Sequence, residues 1–308
     1  MQLNALRYFV MVATTGSFSA TAKHYQVPSS SVSRFISQLE KELGQQLFYR
    51  NTRSVRLTEM GEKYCVQIKD VLDTLDLANE EIAGKNASLR GVIKINTAVA
   101  LGRSHISRII YKLQEVYPDI SVELMLTDRF IDLVQEGVDI AIRIGQLQDS
   151  ALIARKICEQ RYVLCASPAY LEKQGVPQHP QEIEHHACLV YKGVSGSQLW
   201  YFRQTLDDKP IIIEPQGSLK SNNVEVLVNA ALEGRGLVLF PTWIFEHSYF
   251  KNAELIPVLS NWISSVDTHS VGIHLVSPEN RIRSQKVRTV IDFILNEIGD
   301  PPYWDKWI

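Results

Sequence analysis

Apolar residues recur at helical spacing from the start of the chain. Leu3, Leu6, Phe9, Val10 and Ala13 predict a first helix ending near Thr14-Thr15-Gly16. Ser17 stands where a helix N-cap belongs, a short oxygen-bearing side chain able to accept a free backbone N–H. A second helix runs from about Phe18 to Tyr25, with Phe18 and Ala22 on one face. Gln26-Val27-Pro28 interrupts it, because Pro28 disfavours helix at Val27 and has no N–H to donate. Ser29 is expected to cap a third helix reaching about Leu43, with Val32, Ile36, Leu39 and Leu43 facing inward. Phe18, Ala22, Val27, Val32 and Ile36 are then the core of a helix-turn-helix. Leu47-Phe48, the basic turn Arg50-Asn51-Thr52-Arg53-Ser54 and the alternating Val55-Arg56-Leu57 predict a hairpin, the wing of a winged helix.

Beyond Glu59 the period changes. Tyr64, Ile68, Val71, Leu75, Ala78 and Ile82 follow one another at steps of 4, 3, 4, 3 and 4, the seam of a coiled coil. Two readings stay open: dimerisation through this stripe, or packing against the protein's own body. Gly84-Lys85-Asn86-Ala87-Ser88 has no periodicity and predicts a hinge.

From Gly91 strands and helices alternate. The expected elements are a strand to Asn96, a helix from about Leu101 to Tyr117, and a period-2 strand through Ile120, Val122, Leu124 and Leu126. A helix near Phe130 to Glu136 and a strand Ile140 to Ile144 follow. A second unit starts at Tyr162-Val163-Leu164-Cys165 and includes a helix Val224 to Leu232 and a strand into Pro241. The alternation predicts an α/β fold with a largely parallel sheet, which binds ligands beyond the carboxyl ends of its strands. The loops at Thr97-Ala98-Val99, Thr127-Asp128 and Arg143-Ile144-Gly145 are the places to look.

Charge sharpens the picture. Residues 1–58 hold seven Lys/Arg and two Glu, net +5, while the remaining 250 hold 25 Lys/Arg and 32 Asp/Glu, net −7. A basic segment on an acidic body suggests that only the first segment faces a polyanion. The outer side of the third helix offers Ser29, Ser30, Ser31, Ser33, Arg34, Ser37 and Gln38. Small hydroxyls let a helix sit deep in a major groove, and a guanidinium can bind guanine edges or phosphate. An ordinary amphipathic helix would also look like this, but a basic hairpin directly after it makes the whole order more specific than any part. Phe35 fits either contact with thymine methyls or burial against the first helices. Arg50, Thr52, Arg53 and Ser54 would grip phosphates or the minor groove.

Enzymatic motifs do not appear. Gly193-Val194-Ser195-Gly196-Ser197 misses the Gly-x-Ser-x-Gly spacing of a nucleophile elbow, and His185-His186 lacks the Glu and spacing of a zinc motif. No phosphate-cradling glycine motif is present. Cys65, Cys158, Cys165 and Cys188 are scattered, so neither a metal site nor a cofactor is expected. Met1 to Arg7 lacks a secretory pattern and no apolar run reaches membrane length, which predicts a cytoplasmic protein without membrane contact.

Several segments together resemble one family. Leu6-x-x-Phe9, Gly16-Ser17-Phe18, Ser31-Val32-Ser33-Arg34, Ile36-x-x-Leu39-Glu40, Leu43-Gly44, Leu47-Phe48-x-Arg50 and Leu57-Thr58-x-x-Gly61 look like the N-terminus of LysR-type transcriptional regulators. Gly137-Val-Asp-Ile-Ala-Ile-Arg-Ile-Gly145 and Tyr162-Val-Leu-Cys-Ala-Ser-Pro-Ala-Tyr-Leu171 resemble the effector domain of that family, which is similar to periplasmic solute-binding proteins. The resemblance implies a winged helix-turn-helix over 1–58, a dimerising linker helix and hinge over 59–87, and a two-lobed effector domain over 88–308. Lobe I would take about 88–161 and 268–308, and lobe II about 162–267. The implied partners are double-stranded DNA with a dyad-symmetric operator, a small-molecule effector, a second copy of the chain in a dimer or tetramer, and RNA polymerase. The effector is expected to be a small anion held by Arg143, Thr97, Ser167 and Asn222, with Ala98, Val99, Thr127, Ile144 and Pro241 nearby. Arg143 could instead form an ion pair with Asp139 or Asp128, and Thr97 and Ser167 could be capping residues. The rival readings are an exported solute-binding protein, which leaves residues 1–87 without a purpose, and an enzyme with an N-terminal interaction module.

Overall fold

The computed structural model describes residues 2–50, 55–83, 89–145, 152–193, 196–269 and 271–306. Two compact units make up the chain. One is Met1–Ser88 with Asn280–Gln285, and the other is Leu89–Glu279 with Lys286–Ile308.

In the first unit α1 (Leu3–Thr15), α2 (Phe18–His24) and α3 (Ser29–Leu43) precede a hairpin of β1 (Phe48–Arg50) and β2 (Val55–Leu57), and α4 (Glu59–Ala83) follows. Gly16 takes a left-handed φ of 63° and returns its N–H to Val12, which ends α1. Ser17 Oγ accepts the Ala20 N–H at 3.2 Å and so caps α2. The cap of α3 is not Ser29 but Pro28, whose carbonyl already accepts the Ser31 N–H at 2.9 Å; Ser29 is the first helical residue. Leu43, expected inward, is exposed, because α3 turns out through the left-handed Gly44 immediately after it. Phe9, Val12, Val32, Ile36 and Leu39 are fully buried in one core, with Ala22 beside them and Phe18 and Val27 half-buried against it.

The linker helix departs from the single expected stripe. Ile68, with Cys65 and Leu72, is buried in the helix-turn-helix core, and Tyr64 packs on Phe9 with ring centres 5.5 Å apart. Val71 is 54% exposed, Ala78 exposed and Leu75 half-buried. The side chain of Ile82 lies outside the described residues, as does the hinge at 84–88. Two apolar stripes therefore run about 100° apart around one helix: Cys65-Ile68-Leu72 serves its own core, and Val71-Leu75-Ala78 lies on the next face.

The second unit begins with β3 (Gly91–Thr97). A continuous helical run follows, made of α5 (Val99–Leu101), a π-turn (Gly102–Ile106) and α6 (Ser107–Val116). Next come β4 (Ile120–Leu126), β5 (Ile140–Ile144) and β6 (Leu152–Glu159). No helix forms near Phe130 to Glu136. A single turn capped by Asp132 Oδ1 is closed by Gly137 at φ 65°, too soon for a second turn. The chain then enters a second lobe with β7 (Tyr162–Ala166), α7 (Pro168–Gln174), β8 (Val190–Gly193), β9 (Gly196–Ser197), β10 (Trp200–Arg203), β11 (Ile211–Ile213) and β12 (Lys220–Ser221). That lobe is completed by α8 (Val224–Leu232), β13 (Val238–Pro241), α9 (His247–Lys251), β14 (Ile256–Val258) and β15 (Ile263–Ser265), after which β16 (Gly272–Pro278) returns to the first lobe.

The first lobe's sheet has the order β4-β3-β5-β16-β6. Only β4, β3 and β5 are parallel; the returning β16 is antiparallel to β5 and β6, so the sheet is mixed. The second lobe departs further from the expected parallel arrangement, since β13 and β14 both flank β7 antiparallel. β7 is buried on both faces, with Leu164 and Ala166 in a core around Trp200 and Phe202, and Val163 and Cys165 in another around Leu227 and Phe240. Double burial explains its unbroken apolar run.

Candidate nucleic-acid interface and effector cavity

The solvent side of α3 is rich in hydroxyls. Ser29, Ser30, Arg34, Ser37 and Gln38 are exposed, and Ser31 and Ser33 are half-buried. Phe35 turns towards the body, its ring meeting Tyr8 edge-on at 5.5 Å, which favours burial over a groove contact. The Arg34 guanidinium carbon lies 5.7 Å from the centre of the same ring, so Phe35 supports the base of an exposed cation.

The hairpin is tied to α3 by one carboxylate. Glu40 Oε1 accepts the backbone N–H of Leu47 at 2.9 Å and of Phe48 at 3.2 Å. Thr58 Oγ1 donates to the Gln46 carbonyl at 2.7 Å and accepts the Gly61 N–H at 2.9 Å, joining the hairpin's root to the start of α4. Arg50 faces Val55 across the ladder, and Tyr49 faces Arg56. The tip with Thr52, Arg53 and Ser54 lies outside the described residues, as does the side chain of Arg50. Sequence reasoning missed Tyr49 and Arg56, both exposed on this hairpin; the signal was a polar-tipped ring alternating with the buried Phe48.

In the second unit the parallel strands β3, β4 and β5 end at one edge of their sheet, at Thr97, Leu126 and Ile144. Beyond that edge lies a cavity of about 370 Å³. The first lobe supplies Ala98, Val99, Asp128 and Ile144, and the second supplies Tyr191, Asn222 and Pro241. Asn222 stands just before Asn223, whose Oδ1 caps α8 by accepting the Val226 N–H at 3.1 Å. An adjoining cavity of about 260 Å³ shares Ala98, Asp128, Ile144 and Tyr191, and adds Thr127 and Arg143.

Arg143 makes neither of the ion pairs weighed for it among the described residues. Asp139 Oδ2 accepts the Lys94 N–H at 2.8 Å, and Asp128 Oδ1 accepts the Val99 N–H at 3.0 Å. Arg143 Nη1 donates instead to Asn96 Oδ1 at 2.5 Å, and its guanidinium carbon sits 5.9 Å from the Phe130 ring. Its Nη2 is buried with no hydrogen-bond partner among the described residues. Burial pushes the guanidinium pKa down from its ordinary value.

Two expected effector residues line neither cavity. Thr97 is fully buried, with its methyl facing Gly102 at the start of the π-turn. Ser167 is buried at the far end of the second lobe. The carboxyl-end rule holds for parallel strands, whereas β7 starts at the cavity with Tyr162 and runs away from it. Ser167 follows roughly 16 Å further along, at about 3.3 Å per residue. Neither hydroxyl has a hydrogen-bond partner among the described residues, and Ser167 forms no side-chain cap on α7.

Where the lobes join, a buried histidine makes contacts that sequence reasoning did not anticipate. His105 Nε2 lies 2.7 Å from the Trp243 carbonyl, and Nδ1 lies 2.5 Å from the Tyr303 hydroxyl. A carbonyl only accepts, so Nε2 carries the proton and Nδ1 accepts from Tyr303, an assignment that fixes the neutral tautomer. Burial, and secondarily the nearby Arg108, depress the His105 pKa, while the bond to the Trp243 carbonyl opposes them. Trp243 Nε1 donates to Gln160 Oε1 at 2.9 Å, and Thr242 donates to Asp305 Oδ1 at 2.5 Å. These partners lie 63 to 198 residues apart, beyond the reach of any local pattern. Among the described residues no group of three His, Cys, Asp or Glu is placed to hold a metal, and no helix is long and apolar enough to cross a membrane.

Comparison with known proteins matches both units. Residues 3–62 match the model of the bacterial regulatory helix-turn-helix protein, lysR family, and residues 86–299 match the LysR substrate binding domain. The chain belongs to the LysR family of transcriptional regulators. It is a DNA-binding regulator with an effector-binding domain. It is 30% identical over 295 residues to the HTH-type transcriptional regulator CrgA of Neisseria meningitidis serogroup B, covering 96% of each chain. Identity to the HTH-type transcriptional activator TtdR of Escherichia coli K12 is 31% over 290 residues, covering 94% of this chain and 91% of that one. Among solved structures, the full-length virulence activator AphB of Vibrio cholerae superposes with a TM-score of 0.59 at 30% identity, covering 96% of this chain and 99% of the other. In this LysR-family chain α3 lies within the residues matched by the helix-turn-helix model, and the paired cavities lie within those matched by the substrate-binding domain.

Proposed function

We propose that the protein acts as a dimer or a dimer of dimers on a dyad-symmetric operator, with one α3 in each of two major-groove half-sites. Ser30, Ser33, Arg34 and Ser37 face the base edges, and Arg50 and Arg53 grip the flanking backbone or minor groove. The observation that carries this reading is the exposed Arg34, raised on Phe35, beside a hairpin that Glu40 ties to the same helix. Val71, Leu75 and Ala78 of α4 form the face that pairs two subunits, supported by the exposure of Val71 on an otherwise apolar stripe. DNA as a partner puts the protein in the cytoplasm, where a bound regulator can contact RNA polymerase.

The effector is a small carboxylate-bearing molecule. Its carboxylate meets Arg143, whose Nη2 lacks a partner among the described residues, and its body fills the larger cavity. Binding shifts the equilibrium between two arrangements of the lobes only in so far as affinity differs between them. A gel shift on the DNA upstream of the protein's own gene, titrated with salt, tests the DNA half of the proposal. Phosphate-driven binding must weaken steeply as salt rises. Retention that is insensitive to salt, or no retention at all, overturns it.

A further inference from the structure

The larger cavity has a sign opposite to the expectation of a purely anionic effector. Asp128, Glu225 and Asp267 line it, and among the described residues no Lys or Arg does. Glu225 is already answered by Arg103 at 2.8 Å. Among the described residues Asp128 has no ion-pair partner, and Asp267 has only the imidazole of His269, its Nδ1 3.7 Å from Oδ1 and a cation only when protonated. Asp128 gives Oδ1 to the Val99 N–H, and Asp267 gives Oδ1 to the His269 N–H at 3.1 Å. The two carboxylates also act on ring hydroxyls in the wall: burial, and then Asp128, raises the Tyr191 pKa, and burial, and then Asp267, raises that of Tyr162. An anion placed here would meet like charge. The adjoining cavity has the reverse balance, with Arg129 and Arg143 against Asp128 alone. Between the charged groups the wall is mixed, with Phe240, Trp243, Ile244 and Val266 giving it an apolar side and Gln160, Gln198, Asn222 and Asn223 adding polar groups.

We propose that the effector is amphoteric, with a carboxylate at Arg143, an ammonium facing Asp128 and Asp267, and an apolar, ring-sized body against Phe240 and Trp243. This rests on the reading of the paired cavities as the effector site. Opposite charges at the two ends fix the ligand's direction, with the buried Arg143 Nη2 matched to the carboxylate and the exposed Asp128 and Asp267 matched to the ammonium. A plain carboxylic acid leaves the acidic wall unanswered, and a plain amine leaves Arg143 Nη2 unpartnered.

The test uses the full-length protein and three matched probes: L-phenylalanine, phenethylamine and 3-phenylpropionate, read by calorimetry and thermal shift. The amino acid is expected to bind at least about tenfold more tightly than either probe lacking one charge, since each probe forgoes a charge-assisted hydrogen bond. Asp267→Asn is expected to remove the preference for the amino acid over the acid. Arg143→Met is expected to remove its preference over the amine. If 3-phenylpropionate binds as tightly as L-phenylalanine, or if none of the three binds, the amphoteric assignment is overturned. Val266→Trp, which fills the larger cavity, separates the two failures. If it abolishes binding of the acid alone, the cavity is the effector site but the ligand is not amphoteric. If it leaves binding of every probe unchanged, the site reading itself fails.

Discussion

Glu40 accepts the backbone N–H of Leu47 at 2.9 Å, so the last turn of α3 and the first residue leading into the hairpin are held by one carboxylate oxygen. The same oxygen takes the N–H of Phe48. Removing it leaves two backbone donors near the hairpin's root without this acceptor, at a cost of about 1.5–3 kcal/mol. Glu40→Ala is therefore expected to lower the melting temperature of the full-length protein and to weaken DNA binding. Glu40→Gln, which keeps an acceptor oxygen, should do less of both. Equal melting temperatures for wild type and Glu40→Ala would show that the carboxylate does not hold the wing.

Arg34 stands exposed on Phe35. Arg34→Ala should weaken binding to the specific operator by ~1–3 kcal/mol if the guanidinium reads a base. Titrations on specific and scrambled duplexes decide the role. A loss confined to the operator assigns Arg34 to a base edge, and a loss equal on both assigns it to phosphate.

At Gly61 a Cβ would lie 2.1 Å from the Leu47 carbonyl oxygen, so α4 crosses the hairpin's root at a distance only glycine permits. Gly61→Ala must push backbone against backbone, at a cost of roughly 1–3 kcal/mol. Differential scanning calorimetry should show a lower transition. An unchanged transition would mean that α4 does not pack here.

His105 links acidity to stability. Burial holds its folded pKa below the ordinary value near 6.5, so the folded state favours the neutral ring and the unfolded state binds the extra proton first. The stability it contributes is present above about pH 6.5 and is lost as pH falls through that value and on towards the folded pKa. His186 and His274 are displaced the same way, also mainly by burial. Melting temperature should fall between pH 7.5 and pH 5.5, and His105→Gln should shrink that fall. An identical fall in the variant would remove His105 from the account.

The cysteines should be chemically quiet. Burial pushes the Cys188 and Cys158 thiols up to about 12, and it raises Cys65 and Cys165 as well. A thiol must ionise to attack, so a disulfide reagent should react slowly with the native protein and fully after denaturation. Rapid native reaction of one equivalent would mark an exposed thiolate.

Local grammar was legible at many boundaries that neighbours in sequence decide, though Ser29 is the first helical residue and not the cap, and Gly137 stops the helix expected near Phe130 to Glu136. Ser17 caps α2, Pro28 breaks the chain ahead of α3, and Val224–Leu232 is a helix as its pattern predicts. Reading failed where a distant partner decides. Ile68 fits a coiled-coil seam by spacing, yet Phe9 and its neighbours had already claimed that side of the helix. Ser167 follows a strand as a ligand residue would, but an antiparallel neighbour reverses which end of β7 faces the cavity. Arg143 was legible as a candidate, while its partner Asn96, 47 residues away, was not. The acidic lining of the cavity is assembled from Asp128, Glu225 and Asp267, which share no sequence neighbourhood.

Because Cys65, Ile68 and Leu72 are rooted in the same core as Phe9 and Val32, α4 is a stiff boom fixed to the reading head, not a tether. At about 1.5 Å per residue its 25 residues extend roughly 37 Å, so a swing of about 5° at one end displaces the other by about 3 Å. That is close to one base-pair step along a duplex, which makes small angular changes at the boom's free end sufficient to alter which stretch of DNA two such heads can straddle.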